Sequence, residues 1–487
     1  MDNFKPIIER INMINKPQTN TNQMKTQKGW KWSAYMLLSL LSLTFISSIV
    51  FAQNNENVRQ LKANETFNFS LQQCIDFAYQ NQVDVVNVQL DEKIAKGKIN
   101  EIAGTGLPQI NASFDLKDFL AIPTSLIPAE FFGGKKGEFI AVKFGTQYNA
   151  TADISASQLL FDGTYLVGLK ASKTYFELSQ KNTTRTKIET AATVTKAYYA
   201  TLIAAEKINL IDANISRVKK LLDDTKAMYD NGFVEKIDLD RITVAYNNIT
   251  VEKEKVTRYI VLSYNLLKFQ IGMSQSAVLI LTDNLNNWDV ANWDIKTDGF
   301  DCKNRIEFSL MDVQKRLALL DLKRYKSGYY PSLFAYGDFN YAQLSNSIEL
   351  TNAHVKWYPT GLIGAKLTLP ILDGLQKNAR IVQAKLNLKK VENQQESLEN
   401  SLTFQMNSAK TTYDNSVSSL KVQKDNIKLA ENIYNVSKKK YDQGVGSNLE
   451  VITAQTVLKE AQDNYYGALF DALNAKVDLD KALGNIK

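Results

Sequence analysis

Two stretches of the chain run for more than sixty residues without a helix breaker. From Leu169 to Asn231 there is neither Gly nor Pro, and from Leu375 to Gln443 there is again neither. Those two residues are the main interrupters of a helix, and gaps of this length far exceed an ordinary one. At 1.5 Å of rise per residue the first stretch predicts a helix about 95 Å long. Within it Ile208, Ile211, Ile215, Val218 and Leu222 step by three and four, a heptad seam. In the second stretch Tyr413, Leu420, Ile427, Tyr434 and Tyr441 recur at every seventh residue. Shifted by 212 residues, Ile208, Ile215, Leu222 and Tyr229 fall on the last four of these, so one register is expected in both. Gly232 and Gly444 should end the two helices, and a second helix should follow each, over 233–271 and 447–486.

Elsewhere the period is two. Tyr148 to Ser157 alternates apolar and polar residues, as does Ile363 to Leu369, and each predicts a strand with one apolar and one wet face. Ile110–Phe119 and Leu333–Tyr341 are expected to be their partners. The connections, 120–146 and 343–360, carry Pro, Gly and the aromatics Phe131, Phe132, Phe139, Trp357 and Tyr358, which suit a lipid interface. A soluble sandwich is a poor fit, because four strands flanked by such helices leave no second sheet.

The two halves repeat. Leu160-Phe161-Asp162-Gly163 returns as Ile371-Leu372-Asp373-Gly374 after 211 residues, and Tyr229-Asp230-Asn231-Gly232 as Tyr441-Asp442-Gln443-Gly444 after 212. Ile271-Gly272 returns as Leu483-Gly484 after 212, and Leu107-Pro108 as Tyr330-Pro331 after 223. Four landmarks in one order imply a duplicated unit. The expected layout is an N-terminal extension over 53–69, a first repeat over 70–272 and a second over 301–487, joined by 273–300. The first repeat should hold strands near 109–121 and 147–161 and a tip near 229–239; the second, strands near 332–342 and 362–371 and a tip near 441–451.

The N-terminus reads as an export signal. Lys25, Lys28 and Lys31 precede a charge-free run over 33–52 that ends in Val50-Phe51-Ala52, a small-residue cleavage pattern. A retained anchor is the competing reading, since the run could nearly span a bilayer. Met24 stands at the usual distance before the signal, which makes 1–23 a candidate misplaced start. The formal charge of +7 falls to +3 once the six basic and two acidic residues of 1–52 are set aside. Nothing then favours nucleic acid as a partner.

The composition narrows the chemistry further. A single histidine, His354, leaves neutral-pH catalysis and zinc binding without their usual residue. His354 falls in a predicted outer loop and reads as an exposed bystander. Cys74 and Cys302 have no CxxC spacing, and whether they pair stays open; a packed free thiol is the expected state of Cys74. Neither GxSxG, nor a Walker loop, nor GxGxxG is present. The expectation is no enzyme, no catalytic residues, no metal and no cofactor. Ser70 with Gln73 forms a capping box before the first helix.

Four strands cannot close a barrel, as the smallest outer-membrane barrels take eight, and an open edge in lipid costs several kcal/mol per unpaired group. The subunit should therefore associate, and three copies would supply twelve strands.

These residues together resemble the TolC family of outer-membrane efflux proteins over about Ser70 to Gly484. The resemblance is carried by Leu107-Pro108-Gln109-Ile110, by Leu160-Phe161-Asp162-Gly163 and by the two tips, Tyr229 to Leu239 and Tyr441 to Val451, with Ala454-Gln455 after the second. It implies an α+β membrane protein made of a duplicated helix–strand–loop–strand–helix unit. Long coiled-coil helices would form a periplasmic α-barrel, and four strands per chain would enter a trimeric twelve-stranded outer-membrane β-barrel. Residues 273–300 would wrap the tunnel as an equatorial belt. The implied function is the exit duct of a tripartite efflux or type I secretion system. Its partners would be a periplasmic adaptor, an inner-membrane pump and outer-membrane lipid.

The same resemblance implies that Asp238, Asp240 and Glu450 face the tunnel near its periplasmic entrance. Gly232, Phe233, Val234, Gly444, Val445, Gly446 and Ser447 would form the turns that meet the adaptor. By spacing alone, Asp238 and Glu450 could equally be acids complementing a helix N-terminus. Asp240 has no acidic counterpart, since Ile452 stands there, and Thr453 stands where the family carries a second acid. The alternative function is a periplasmic coiled-coil rod tethered to the inner membrane.

Overall fold

A computed structural model describes residues 66–285, 300–347 and 356–486. The export signal, half of the connector with Trp288 and Trp293, and His354 lie outside the described residues. In chain order the elements are β1 (Thr66–Phe69), α1 (Leu71–Asn81), α2 (Val83–Gly104), β2 (Gln109–Asp118), β3 (Thr124–Pro128), β4 (Phe139–Lys143) and β5 (Tyr148–Phe161). There follow α3 (Gly163–Asp230), α4 (Lys236–Gln270), β6 (Val278–Leu281), α5 (Ile306–Ser327), β7 (Ser332–Ser345), β8 (Trp357–Thr368), α6 (Gln376–Asp442) and α7 (Asn448–Leu483).

Short polar side chains start these helices. At α1 the capping box is complete: Gln73 Oε1 accepts from the Ser70 N–H at 2.8 Å, and Ser70 Oγ from the Gln73 N–H at 3.5 Å. Asp162 opens α3 by accepting from the N–H groups of Thr164 and Tyr165 at 2.6 and 2.9 Å. Its counterpart Asp373 accepts from the Lys377 N–H at 3.0 Å, but here Gly374 and Leu375 are both left-handed, at φ +62° and +64°. The two strand-to-helix corners thus share an aspartate and differ in path.

β2, β5, β7 and β8 form one antiparallel sheet in that order. Its rows keep the period of two. Ser113 lies opposite Asp153, which lies opposite Asn340 and then Thr360; one residue on, Phe114, Ala152, Tyr341 and Pro359 form an apolar row. One face is therefore polar and the other apolar, and the outer edges of β2 and β8 have no partner strand among the described residues. β8 starts at Trp357, five residues before the expected 362, because Pro359 reads as loop in sequence; on an edge strand it costs little.

α3 packs along α4 and α6 along α7, and α3 also meets α2, α5 and α7. This wider set of neighbours changes the expected seam. In α6 Tyr413, Leu420, Tyr434 and Tyr441 are buried, and Ile427 partly so. In α3 the buried heptad is Ala204, Ile211, Val218 and Thr225 instead. Ile208, Ile215 and Leu222 are half-buried and Tyr229 is exposed, so the register is not shared. The stripe on α3 is turned toward a second neighbour, α7.

An apolar cluster about Cys74, Tyr198, Leu267, Ile271 and Leu473 joins the two repeats at mid-length. There β1 pairs in parallel with β6, and Asp283 accepts from both the Leu71 N–H at 3.0 Å and the Tyr198 hydroxyl at 2.8 Å. Gly272 is required at this joint: its φ is +72°, and a Cβ would lie 2.5 Å from the Asn81 carbonyl oxygen. Cys74 and Cys302 are both free. Burial, with Asp283 nearby, pushes the Cys74 thiol up to about 12, so it is a packing group rather than a nucleophile. Among the described residues no helix is long and apolar enough to cross a membrane.

Candidate functional site at the helical tips

Both long helices end in the same turn. In the first, the Gly232 N–H donates to the Tyr229 carbonyl and the Phe233 N–H to that of Met228, each at 2.9 Å. In the second, the Gly444 N–H donates to Tyr441 at 2.9 Å and the Val445 N–H to Lys440 at 3.0 Å. This is the double bond pattern of a Schellman cap, with Gly232 and Gly444 left-handed at φ +77° and +74°. Val445 is followed by Gly446, where a Cβ would come within 2.9 Å of both the Lys440 Cβ and the Tyr441 nitrogen. The second tip therefore needs two glycines for two reasons, handedness and close approach.

The residues beyond each cap point outward. Phe233 is 80% exposed and Val445 77%, large apolar groups at the extreme end of the chain's helices. Val234 is half-buried. Ser447 then caps α7, its Oγ accepting from the Glu450 N–H at 3.2 Å. At the first tip the corresponding cap, Glu235, makes no side-chain bond.

The three predicted acids differ in surroundings. Asp238 is half-buried, with its carboxylate 3.6 Å from the Arg241 guanidinium. Asp240 is exposed and lines an open groove of about 650 Å³ between α4 and α7, facing Arg241, Leu449, Ile452 and Lys459. Glu450 is exposed in the first turn of α7. The two first turns are neighbours, because Asn448 Nδ2 donates to the Asp238 carbonyl at 3.2 Å. All three acids therefore lie at one end of the subunit, alongside the two turns.

Sequence reading missed Asn448 and what continues it. Asn448, Gln455 and Gln462 are spaced by seven on α7, and all three are buried. Asn214 of α3 donates to Gln462 Oε1 at 3.0 Å and accepts from Gln455 Nε2 at 3.2 Å and Arg217 Nη1 at 2.9 Å. Nearer the tip the hydroxyls of Thr225 and Tyr441 are 3.2 Å apart. A search for polar residues in heptad seams would have found this stripe.

Known proteins with the same organisation are channels. The family model described as outer membrane efflux protein matches residues 309–485. The toluene efflux pump outer membrane protein TtgC of Pseudomonas putida is 22% identical over 344 residues, spanning 70% of this chain and 69% of that one. The outer membrane protein TolC of Vibrio cholerae is 19% identical over 339 residues, 69% of this chain and 77% of its own. Among solved structures CusC superposes with a TM-score of 0.69 at 14% identity, covering 87% of this chain and 95% of that chain. With a duplicated strand-and-helix unit, an open four-stranded sheet and paired tips already in place, these matches favour a duct over the tethered rod: residues 309–485 carry the outer membrane efflux pattern, the chain as a whole is similar to TolC-type proteins in sequence and fold, and it is a channel subunit of the outer membrane that extends into the periplasm.

Proposed function

We propose that the working unit is a homotrimer whose tips form a narrow, acid-lined entrance on the periplasmic side. The observation that carries the trimer is the sheet with one apolar face and two edges that are unpaired among the described residues. In lipid those edges would leave a row of N–H and C=O groups without partners. Three sheets joined edge to edge remove every free edge and give twelve strands. Size measurement in detergent, by light scattering with mass analysis, is expected to return three chains. A folded, monodisperse monomer would sink the assembly.

At the tips Asp238, Asp240 and Glu450 would line the entrance, with each trimer contributing three of each. Gly232, Phe233 and Val234, with Gly444, Val445, Gly446 and Ser447, would form the surface met by a periplasmic adaptor, which links the duct to an inner-membrane pump. The exposed Phe233 and Val445 support this, being apolar groups that no described residue covers. The duct itself is passive in this reading.

The acids should act unequally. Arg241 offsets part of the Asp238 charge, whereas the position equivalent to Arg241 in the second tip is Thr453. In planar bilayers the channel is expected to prefer cations and to be blocked by trivalent cations added from the tip side. Glu450→Ala should weaken that block more than Asp238→Ala, and the double change by roughly tenfold, with the trimer intact. Loss of stability with unchanged block would instead mean that the two acids serve only their helix N-termini.

A further inference from the structure

The connection between β2 and β5 holds a small sheet of its own that the second repeat does not show among the described residues. β3 and β4 pair antiparallel, from Thr124 opposite Lys143 to Pro128 opposite Phe139. The main sheet ends just below, where the Phe119 N–H donates to the Gln147 carbonyl at 2.8 Å. This end lies opposite the helices, since the far end of β5 runs into α3. It is therefore the external end of the barrel. An isolated two-stranded hairpin is marginal in water, and among the described residues no other strand or helix packs extensively on this one.

Its apolar side chains nonetheless face outward. The register puts Leu126, Phe139 and Lys143 on one face, and Leu126 is 67% exposed. The turn adds Phe131, 79% exposed, and Phe132, then Gly133-Gly134-Lys135-Lys136. Leu120 and Phe144, at the base, are exposed as well. By the alternation of β2, Leu120 follows Phe114 and Leu116 on the apolar face of the main sheet that carries Phe339 and Tyr341. Lys135, Lys136 and Lys143 have no ion pair among the described residues.

We propose that the β3–β4 hairpin is a lipid anchor that seats Phe131, Phe132 and Phe139 at the outer-leaflet interface while Lys135 and Lys136 meet the phosphate groups of the lipid heads. Continuity with the lipid-facing surface supplies the apolar half of the argument, and the adjacent lysines of the turn, which Glu130 and Glu138 flank, the polar half. The proposal rests on the outer-membrane placement of the chain and not on the tip acids or the adaptor.

The test uses the full protein in vesicles. A Phe132→Trp reporter, read as the difference from the unsubstituted protein, is placed in phosphatidylcholine with brominated acyl chains, with and without lipid A. The expected result is blue-shifted emission quenched by the brominated chains. In the lipid A vesicles, K135Q/K136Q should lower the docked-to-undocked ratio by roughly thirtyfold. Emission of a water-exposed indole would overturn the anchor. So would blue-shifted emission without quenching, which would put the hairpin against a neighbouring copy. A ratio indifferent to the two lysines would remove the phosphate contact and overturn the proposal too. Failure of the trimer would register in particle size, not in quenching.

Discussion

Arg305→Met is expected to destabilise the folded chain by about 3–5 kcal/mol, although Arg305 is remote from both tips and from the sheet. Arg305 is only 4% exposed. Its Nε and Nη2 donate to the two carboxylate oxygens of Glu307 at 2.9 and 2.8 Å, and its Nη1 donates to the Ala482 carbonyl at 2.8 Å. That carbonyl is among the last of α7, a group that the helix itself cannot satisfy, and a cation there also complements the helix dipole. One guanidinium thus ties the start of α5 to the end of the chain's last helix. Methionine keeps most of the volume but strands a carboxylate and a carbonyl.

The pH dependence follows from Glu307. Burial raises its carboxyl pKa, the hydrogen bonds from Arg305 and from its own backbone N–H together with the Arg305 and Lys481 charges lower it, and the net direction is down. A carboxylate lowered in the folded state adds stability above its unfolded value and loses it as pH falls through the folded one. The gap between the native protein and Arg305→Met should therefore be full near neutrality and narrow below about pH 4. Denaturation in detergent at neutral and acid pH checks both parts. A gap below about 1 kcal/mol at neutrality, the value of a surface pair, would show that the site is not the buried cap described.

What could be read from the sequence was local and periodic. Missing breakers gave α3 and α6, alternation gave the strands of the main sheet, and Gly232 and Gly444 marked the caps, since only a left-handed residue completes them. Ser70 and Gln73 announced their own bonds. Contacts between distant segments were not legible. β1 and β6 are four residues each and lie some two hundred residues apart, and Arg305 meets Ala482 across 177 positions. The β3–β4 hairpin was hidden by Pro128 inside a five-residue strand and by the glycine-rich turn. Gly446 looked like one more flexible turn residue, because its near contact with Lys440 exists only once the chain has folded back. The seam on α3 failed differently: a heptad names a stripe but not which of two neighbours will cover it. At the tips the residue types were legible and the unequal surroundings of the acids were not, as Arg241 lies near Asp238 only through a helical turn.

The largest effect near the entrance is expected from the amide stripe, where loss of one member should cost more than loss of all. Asn214 is 1% exposed and serves Gln462, Gln455 and Arg217 at once. Asn214→Leu leaves the Gln462 oxygen and the Gln455 amide buried without partners, at about 1–3 kcal/mol for each group. The summed cost is therefore about 2–6 kcal/mol. Changing Asn214, Gln455 and Gln462 together to leucine removes the unpaired groups as well as their partners. A well-packed apolar layer in place of a buried polar one is often neutral or better, so the triple variant should lie within about 1 kcal/mol of the native chain. Such non-additivity is the signature of one network. If the amides merely fill space, the single change would be mild and the triple change the sum of three. The stripe also joins α3 of the first repeat to α7 of the second, so in the proposed trimer it ties together two hairpins whose separation would widen the proposed entrance. Polar seam residues hold one register at some cost in stability. The triple variant is therefore expected to keep its stability and lose its quiet baseline, opening spontaneously in planar bilayers more often than the native channel. A triple variant that is stable and equally silent would mean that the amides set no register, and that the closed tip is held by the Tyr441–Thr225 and Asn448–Asp238 contacts alone.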